Sequence, residues 1–331
     1  MAGTGRLARF AAGTVALAGL VGSSVAAGAT ASSAAQRAQA LRTVQVGVLP
    51  IADVAPLYLG MEKGFFAQEG LKVVPHALQG GAAVASAVVG GSLQFGFGAT
   101  ANRILAKSHN LPIEFVANGD EAAASPAKAW SGILVAKGSS ITSVKQLAGK
   151  TVAANATEGE NQLALDTLLA RNHVNPSSVK VVVLGFPEMP AALASHQVDA
   201  VTEVEPFVSA IEAQGGKMIS PLFEGMQKSM IVAGYFANTK LISSDPSLVK
   251  SFVTAINRSE DYAQAHPAEA AAVIPTYTKI PASVAEKMNL PAWGSVVHTD
   301  SILLQEKLMR QFGWMTTTVP ISQLVWSGAD R

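Results

Sequence analysis

The sequence predicts an α/β fold made of two βα lobes joined by two crossings, with a cleft between the lobes. Three observations carry that expectation. Short apolar runs alternate with helical stretches from Val44 onward, the alternation restarts after Trp130, and apolar strands near 131–136 and 230–236 bracket the second block. Alternation of this kind marks βα units on largely parallel sheets.

The first unit is the run from Leu49 to Leu71. Val44–Leu49 reads as a strand, Ile51–Val54 as a loop and Pro56–Glu62 as a helix that exits at Lys63-Gly64, before a strand at Leu71–His76. Pro suits the first helical turn, where its missing N–H is not needed, and Gly suits the exit because it tolerates positive φ. The loop thus sits at the carboxyl end of a strand against a helix N-terminus, where α/β proteins place polar ligands. Strands follow at Phe95–Gly98 and Ile113–Val116, with helices at Ala82–Val89 and Thr100–Ser108.

The second block reads as strands at Ile133–Ala136, Thr151–Ala154, Val179–Leu184 and Ala200–Thr202. Its helices are Val144–Leu147, Glu160–Arg171, Met189–Ser195 and Pro206–Gln214. After an apolar strand at Met230–Phe236 the chain turns helical, opening at Ser244-Asp245-Pro246 with Leu248, Val249, Phe252, Val253 and Ile256 on one face. Further helices are expected at Pro267–Ile274, Ala282–Met288 and Asp300–Phe312. Lobe 1 is then 43–130 plus 237–331, and lobe 2 is 131–236 with the crossings at its ends.

Arg6 and Arg9, an apolar run from Phe10 to Val21 and the small residues Ala27-Gly28-Ala29 have the layout of a cleaved export signal over 1–29. The apolar run is shorter than the roughly twenty residues of a spanning helix. Residues 30–42 read as a flexible leader. Residues 1–29 hold two of the 24 Lys and Arg and none of the 23 Asp and Glu, so the remainder carries a formal charge near −1. No electrostatic case for nucleic acid or an anionic membrane is left. Cys is absent, which excludes disulfides, a thiol nucleophile and a lipid-modified N-terminal Cys. A soluble periplasmic protein, monomeric and without a cofactor or metal, is the expectation.

Ala55-Pro56-Leu57-Tyr58, Glu62-Lys63-Gly64-Phe65-Phe66 and Glu69-Gly70-Leu71 carry a resemblance, together with Gly80-Gly81, Gly90-Gly91-Ser92-Leu93-Gln94-Phe95-Gly96 and Gly98-Ala99-Thr100. Ser131-Gly132-Ile133-Leu134-Val135, Leu147-Ala148-Gly149-Lys150-Thr151-Val152-Ala153, Val198-Asp199-Ala200-Val201 and Glu205-Pro206-Phe207 follow in the same order. Over roughly 44–240 the chain resembles the nitrate/sulfonate/taurine-type solute-binding proteins of ABC importers, whose superfamily also includes binders of thiamine pyrimidine precursors. The resemblance implies a type II periplasmic-binding-protein fold that closes on a small solute by hinge motion. It also implies a permease partner with a separate ATPase, since this chain has no GxxxxGK[ST] motif.

On that reading the first loop, Ile51, Ala52, Asp53 and Val54, faces the cleft, although Asp53 could equally cap the helix after it. Gln79, Gly80, Gly81 and Ala82 present a helix N-terminus. Ala99 and Thr100 follow the third strand, and Asn118 ends the fourth. Trp130 and Ser131 sit at the first crossing, where Trp130 could serve as a wall or as hinge packing. Asn155, Thr157 and Glu158 mirror the first loop in lobe 2. Glu203 and Glu205 follow a short strand, Glu205 with the alternative of capping the next helix. Tyr235 lies on the second crossing.

Carboxylates dominate this set. Asp53, Asp120, Glu121, Glu158, Glu160, Glu203 and Glu205 are cleft candidates, against Arg103 and Lys128 as bases. The balance points to a solute with an amine, amidine or several donors; an aminosulfonate could place its anion on helix N-termini and its ammonium near Glu205. An amine-bearing heterocycle such as a pyrimidine precursor is the alternative, and presentation of a ligand to a sensor is another. The superfamily's pyrimidine synthases consume their own His and depend on a Cys-rich motif. Here Asp53-Val54 stands in the first loop, no Cys exists, and the six His (His76, His109, His173, His196, His266, His298) are scattered. A non-enzyme is expected.

Overall fold

The computed structural model describes residues 40–330; the expected signal at 1–29 and most of the leader at 30–42 lie outside them. The first sheet is built from β1 (Arg42–Val48), β2 (Leu71–Ala77), β3 (Phe95–Ala99) and β4 (Ile113–Glu121). The second takes β5 (Ser131–Val135), β6 (Thr151–Ala154), β7 (Lys180–Val183), β8 (Ala200–Val204) and β9 (Lys217–Pro221). β10 (Ile231–Asn238) then returns to the first sheet.

The spatial orders are β2-β1-β3-β10-β4 and β7-β6-β8-β5-β9. β1 runs parallel to β2 and β3, and β6 parallel to β7 and β8. The sheets are nevertheless mixed. β10 is antiparallel to β3 and β4, and β5 is antiparallel to β8 and β9. Both crossing strands are apolar and buried over nearly their whole length, as strands covered on two faces must be. At Gly234 a Cβ would stand 2.7 Å from the Ala117 carbonyl, so only Gly allows β10 to lie this close to β4.

The expected elements stand close to their sequence positions, with instructive exceptions. The edge strand β9 has no apolar alternation to announce it, and its side chains are mostly half-buried. Short helices at Phe65–Gln68 and Phe223–Met226 were not expected. The helix expected at Ala282–Met288 spans only Ala282–Ala285.

The long helix Pro246–Ala265 covers the first sheet with Leu248, Val249, Phe252, Val253 and Ile256, all buried. Asp245 caps it, its Oδ1 accepting from the Leu248 N–H at 3.1 Å. Phe252 stacks on Phe95 (3.9 Å, 8°) and meets the Tyr235 ring edge-on (5.7 Å, 67°). The same helix packs on Ala55–Glu62, where a Cβ at Gly60 would come within 2.7 Å of Ser259 Cβ. A smaller apolar cluster of Ala52, Ala55, Leu59, Ala263, Ala270, Ile274, Met288 and Trp293 sits beneath the first loop. The C-terminal helices therefore act as its foundation.

Gly60 offers a check on this packing. On an exposed helix Gly→Ala stabilises by about 1 kcal/mol. Here overpacking against Ser259 is expected to reverse the sign, costing Gly60→Ala about 1–3 kcal/mol in urea unfolding. A stabilised variant would show that the helix pair is looser than described.

Candidate functional site

β1 ends into a single 3-10 turn, Ala52–Val54, which feeds the helix Ala55–Glu62. Ile51, Ala52, Asp53 and Val54 are all buried. Buried backbone must find partners, and C-terminal side chains supply them. Tyr277 Oη donates to the Ile51 carbonyl at 3.1 Å, and Trp293 Nε1 to the Asp53 carbonyl at 3.1 Å. Tyr58 stacks on Tyr277 (4.0 Å, 8°). The Ala52 N–H reaches the second sheet's loops, donating to the Glu205 carbonyl at 3.0 Å.

Carboxyl groups from both sheets converge on this loop. Asp53 caps no helix, and its Oδ1 has no partner. Glu160 opens the helix Glu160–Arg171 and takes the Ala101 N–H at 2.7 Å through Oε2, leaving Oε1 unpartnered. Asp120, at the end of β4, is fully buried with both oxygens unpartnered. Glu203, on β8, bonds the Val204 N–H with one oxygen and nothing with the other.

Burial raises every one of them. It pushes Asp53 up to about 7, Glu160 to about 8 and Glu205 to about 7. Glu203 is raised well above the usual range by burial and then by the charge of Glu205. Asp120 is also raised well, first by burial and then by the charges of Asp53, Glu160, Glu121 and Glu224. No basic side chain is among the charges that shift Asp53, Glu160 or Glu203. Arg103, expected as a cleft base, is buried over the Phe236 ring (4.4 Å) and donates to the Gly81 carbonyl at 3.4 Å. Lys128 is exposed. Among the described residues no cluster of His, Cys, Asp and Glu is arranged to hold a metal ion. The arrangement suits a positively charged or donor-rich guest, because an unpaired buried carboxylate costs several kcal/mol.

The remaining expected residues divide between unpartnered groups and framework. Thr100 is buried with its hydroxyl unpartnered, and Ala99 precedes it at the end of β3. Gln79 and Ala82 are exposed and Gly80 and Gly81 half-buried, with the Gln79 carbonyl 3.8 Å from where a Cβ would stand at Gly185 of the opposite loop. Asn118 donates to Glu121 and to the Gly294 carbonyl, while its Oδ1 and that of Asn155 stay unpartnered. Trp130 packs on Phe223 and donates to the Glu121 carbonyl, and Ser131 bonds Glu224 and the Phe223 N–H. Both are saturated by the crossing itself. Glu205 takes the Ser209 N–H and hydroxyl, the capping role open to it from the sequence. Thr157 lines a groove of about 540 Å³ with Gln162, Asp166 and Trp314, and the Glu158 N–H is taken by Gln162. Tyr235 is fully buried with its hydroxyl unpartnered.

Sequence reasoning missed Tyr277, Trp293 and Glu260 as neighbours of the site. They come from C-terminal helices and loops that carry no motif, and only the fold brings them under the first loop.

Comparison with known proteins locates this architecture. The ligand-binding component of an ABC-type import system from Staphylococcus aureus, with zinc bound, superposes with a TM-score of 0.75 at 16% identity, covering 86% of this chain and 96% of that one. The alkanesulfonate-binding protein SsuA from Xanthomonas axonopodis pv. citri, bound to MOPS, gives 0.72 at 18%, covering 86% and 98%. The nitrate-binding protein NrtA from Synechocystis PCC 6803 gives 0.66 at 15%, covering 87% and 92%. These likenesses establish the periplasmic-binding-protein fold. By sequence, 4-amino-5-hydroxymethyl-2-methylpyrimidine phosphate synthases from Candida albicans and Aspergillus parasiticus are 28% and 25% identical over 228 and 230 residues, 65% of this chain in each case. The match spans only 65% and 64% of the length of those relatives. A family model described as NMT1/THI5 like matches residues 51–270, well over half of the sequence, and the chain therefore belongs to the NMT1/THI5-like family.

Proposed function

We propose that this chain is the solute-binding component of an importer, closing on a small polar organic solute and handing it to a permease driven by a separate ATPase. The solute carries an amine or another cationic, donor-rich group. One observation carries this reading: Asp53, Asp120 and Glu160 bring unpartnered buried oxygens from both sheets close enough to act on one another, with no base among the charges that shift them. A bare nitrate or simple sulfonate would add a negative charge to that set. An aminosulfonate remains compatible, with its anion on helix N-termini and its ammonium among the carboxyls. The expected export signal and the absence, among the described residues, of any helix long and apolar enough to cross a membrane support a soluble, exported protein.

A second reading, an amine-bearing heterocycle of the pyrimidine-precursor kind, draws support from the parallel Tyr58–Tyr277 stack beside the first loop and from the sequence relatives. Catalysis is not part of either reading. The chain has no Cys, and its first loop presents a carboxyl rather than an imidazole.

Thermal-shift screening of amines, amidines, aminosulfonates, simple sulfonates and nitrate tests the charge preference. A ligand at a hundred times its Kd adds about 2.7 kcal/mol, so cation-bearing compounds are expected to raise the Tm and nitrate or methanesulfonate to leave it unchanged. Tight binding of nitrate with no gain from an amino group would sink the reading.

The raised carboxyls also set a pH dependence. A carboxyl whose folded pKa is raised stabilises below its unfolded pKa, and that contribution is lost as pH rises through the folded value. The ligand-free protein is therefore expected to lose stability between about pH 4 and pH 8, the window set by Asp53, Glu205 and Glu160. Capture of a cation needs these groups ionised, so its affinity is expected to rise over the same window. Calorimetry and Tm against pH read both trends, and parallel curves with and without ligand would contradict the second.

A further inference from the structure

Beyond the carboxyls of the first loop, two more groups with unpartnered buried oxygens stand on β10 and on the long helix, and Asp120 is their neighbour. β10 pairs with β4 so that Ala233 stands opposite Asp120 and Tyr235 opposite Ala117. The Tyr235 ring rests on Phe97 (5.3 Å) and on Phe252 of the long helix. Two turns further along the buried stripe of that helix is Glu260. Glu260 is fully buried with neither carboxyl oxygen partnered, and the Tyr235 hydroxyl is equally buried and equally alone. After burial itself, the charge of Asp120 is the largest influence raising Glu260, and the Tyr235 phenol is raised by burial, then by Glu260, Tyr277 and Asp120. The pairing of β10 with β4 and the packing of the long helix on both sheet strands thus bring the three groups close enough for each to act on the others. Asp53 links them to the first loop, since its charge acts on both Asp120 and Tyr277.

The chemistry of the three groups is specific. Asp120 and Glu260 offer four acceptor oxygens, all without a hydrogen bond, and Tyr235 adds a hydroxyl. An ammonium has three donors on one compact, strongly hydrated centre. An amidinium or guanidinium spreads its charge over a planar set of more donors, is more weakly hydrated and pairs with carboxylates two bonds at a time. We propose that Asp120, Glu260 and Tyr235 form an inner subsite that receives a planar, delocalised cationic group at one end of the solute. This rests on the solute-cleft reading above and names the group that the cleft selects.

The test uses the full chain and calorimetric titration of benzamidine, agmatine, butylamine and methanesulfonate. Benzamidine and agmatine are expected to bind more tightly than butylamine. Losing one charged hydrogen-bond partner is expected to weaken the amidinium and guanidinium probes about tenfold or more in Glu260→Gln. Butylamine binding should change little, and Glu286→Gln, at an exposed position whose charge does not act on Asp120, Glu260 or Tyr235, should match the parent protein. Tyr235→Phe keeps the ring packing and is expected to weaken the same two probes to a smaller degree, which preserves the test if Glu260→Gln fails to fold. If both variants keep benzamidine and agmatine within twofold of the parent while those cations still bind, the subsite is wrong and the functional reading stands. Methanesulfonate binding more tightly than every cation, or no saturable binding of any cation, would overturn both.

Discussion

A carboxylate taken out of water and given no base is the constraint on which the rest of this structure turns. Each such ion costs several kcal/mol, whereas a neutral hydrogen bond returns about 1 kcal/mol. The loops of the two sheets are joined by bonds such as Ala101–Glu160 and Ala52–Glu205. Bonds of that strength do not offset several ionised carboxyls in one dry site. The arrangement is therefore stable in two ways only: with protons on the oxygens, or with a positive guest among them. The first describes the raised carboxyls of the ligand-free chain. In the proposed capture of a solute, the second gives closure a direction, because a cation entering the site would replace those protons and be held by ions that water no longer screens.

Much of the scaffold was legible in the sequence. Val44–Leu49, the Pro56 helix start, the Gly64 exit and the face of Leu248, Val249, Phe252 and Val253 each follow from one local rule, and all appear where those rules place them. The antiparallel course of β10 and β5 was not legible, because strand direction depends on where the chain has come from rather than on the residues. β9 escaped notice because a half-exposed edge strand needs no apolar alternation. The site was readable to about the same depth. Asp53 and Thr100 could be named because they follow strands, and Glu203 because the strand expected to end at Thr202 in fact runs on to Val204. The saturation of Ser131 and the capping by Glu205 depended on partners whose positions only the fold sets. Glu260 and Tyr277 had no signal at all, since a buried acid on an amphipathic helix reads like any other polar position.

The structural relatives illustrate how little the fold itself decides. Proteins of nearly the same architecture are described with zinc, with MOPS bound, or as nitrate-binding. What differs must lie in the few side chains at the loop ends, since function is grafted onto such scaffolds site by site. In this chain those positions are acids and aromatics, with the buried Arg103 turned onto Phe236.

The order of strands in the first sheet also governs when that sheet can exist. β3 and β4 are made early, yet they are separated by a slot that β10 fills, and the face they share is covered by the helix that follows it. Until Ile231–Asn238 has arrived, the first half of the chain has an unfinished sheet with two open edges. Its pairing spans the whole second block, so loop closure over that distance must precede the contacts that stabilise it. The second sheet, by contrast, is continuous in sequence and can assemble by itself. Synthesis and assembly consequently run in opposite directions: the part of the chain made first is the part finished last.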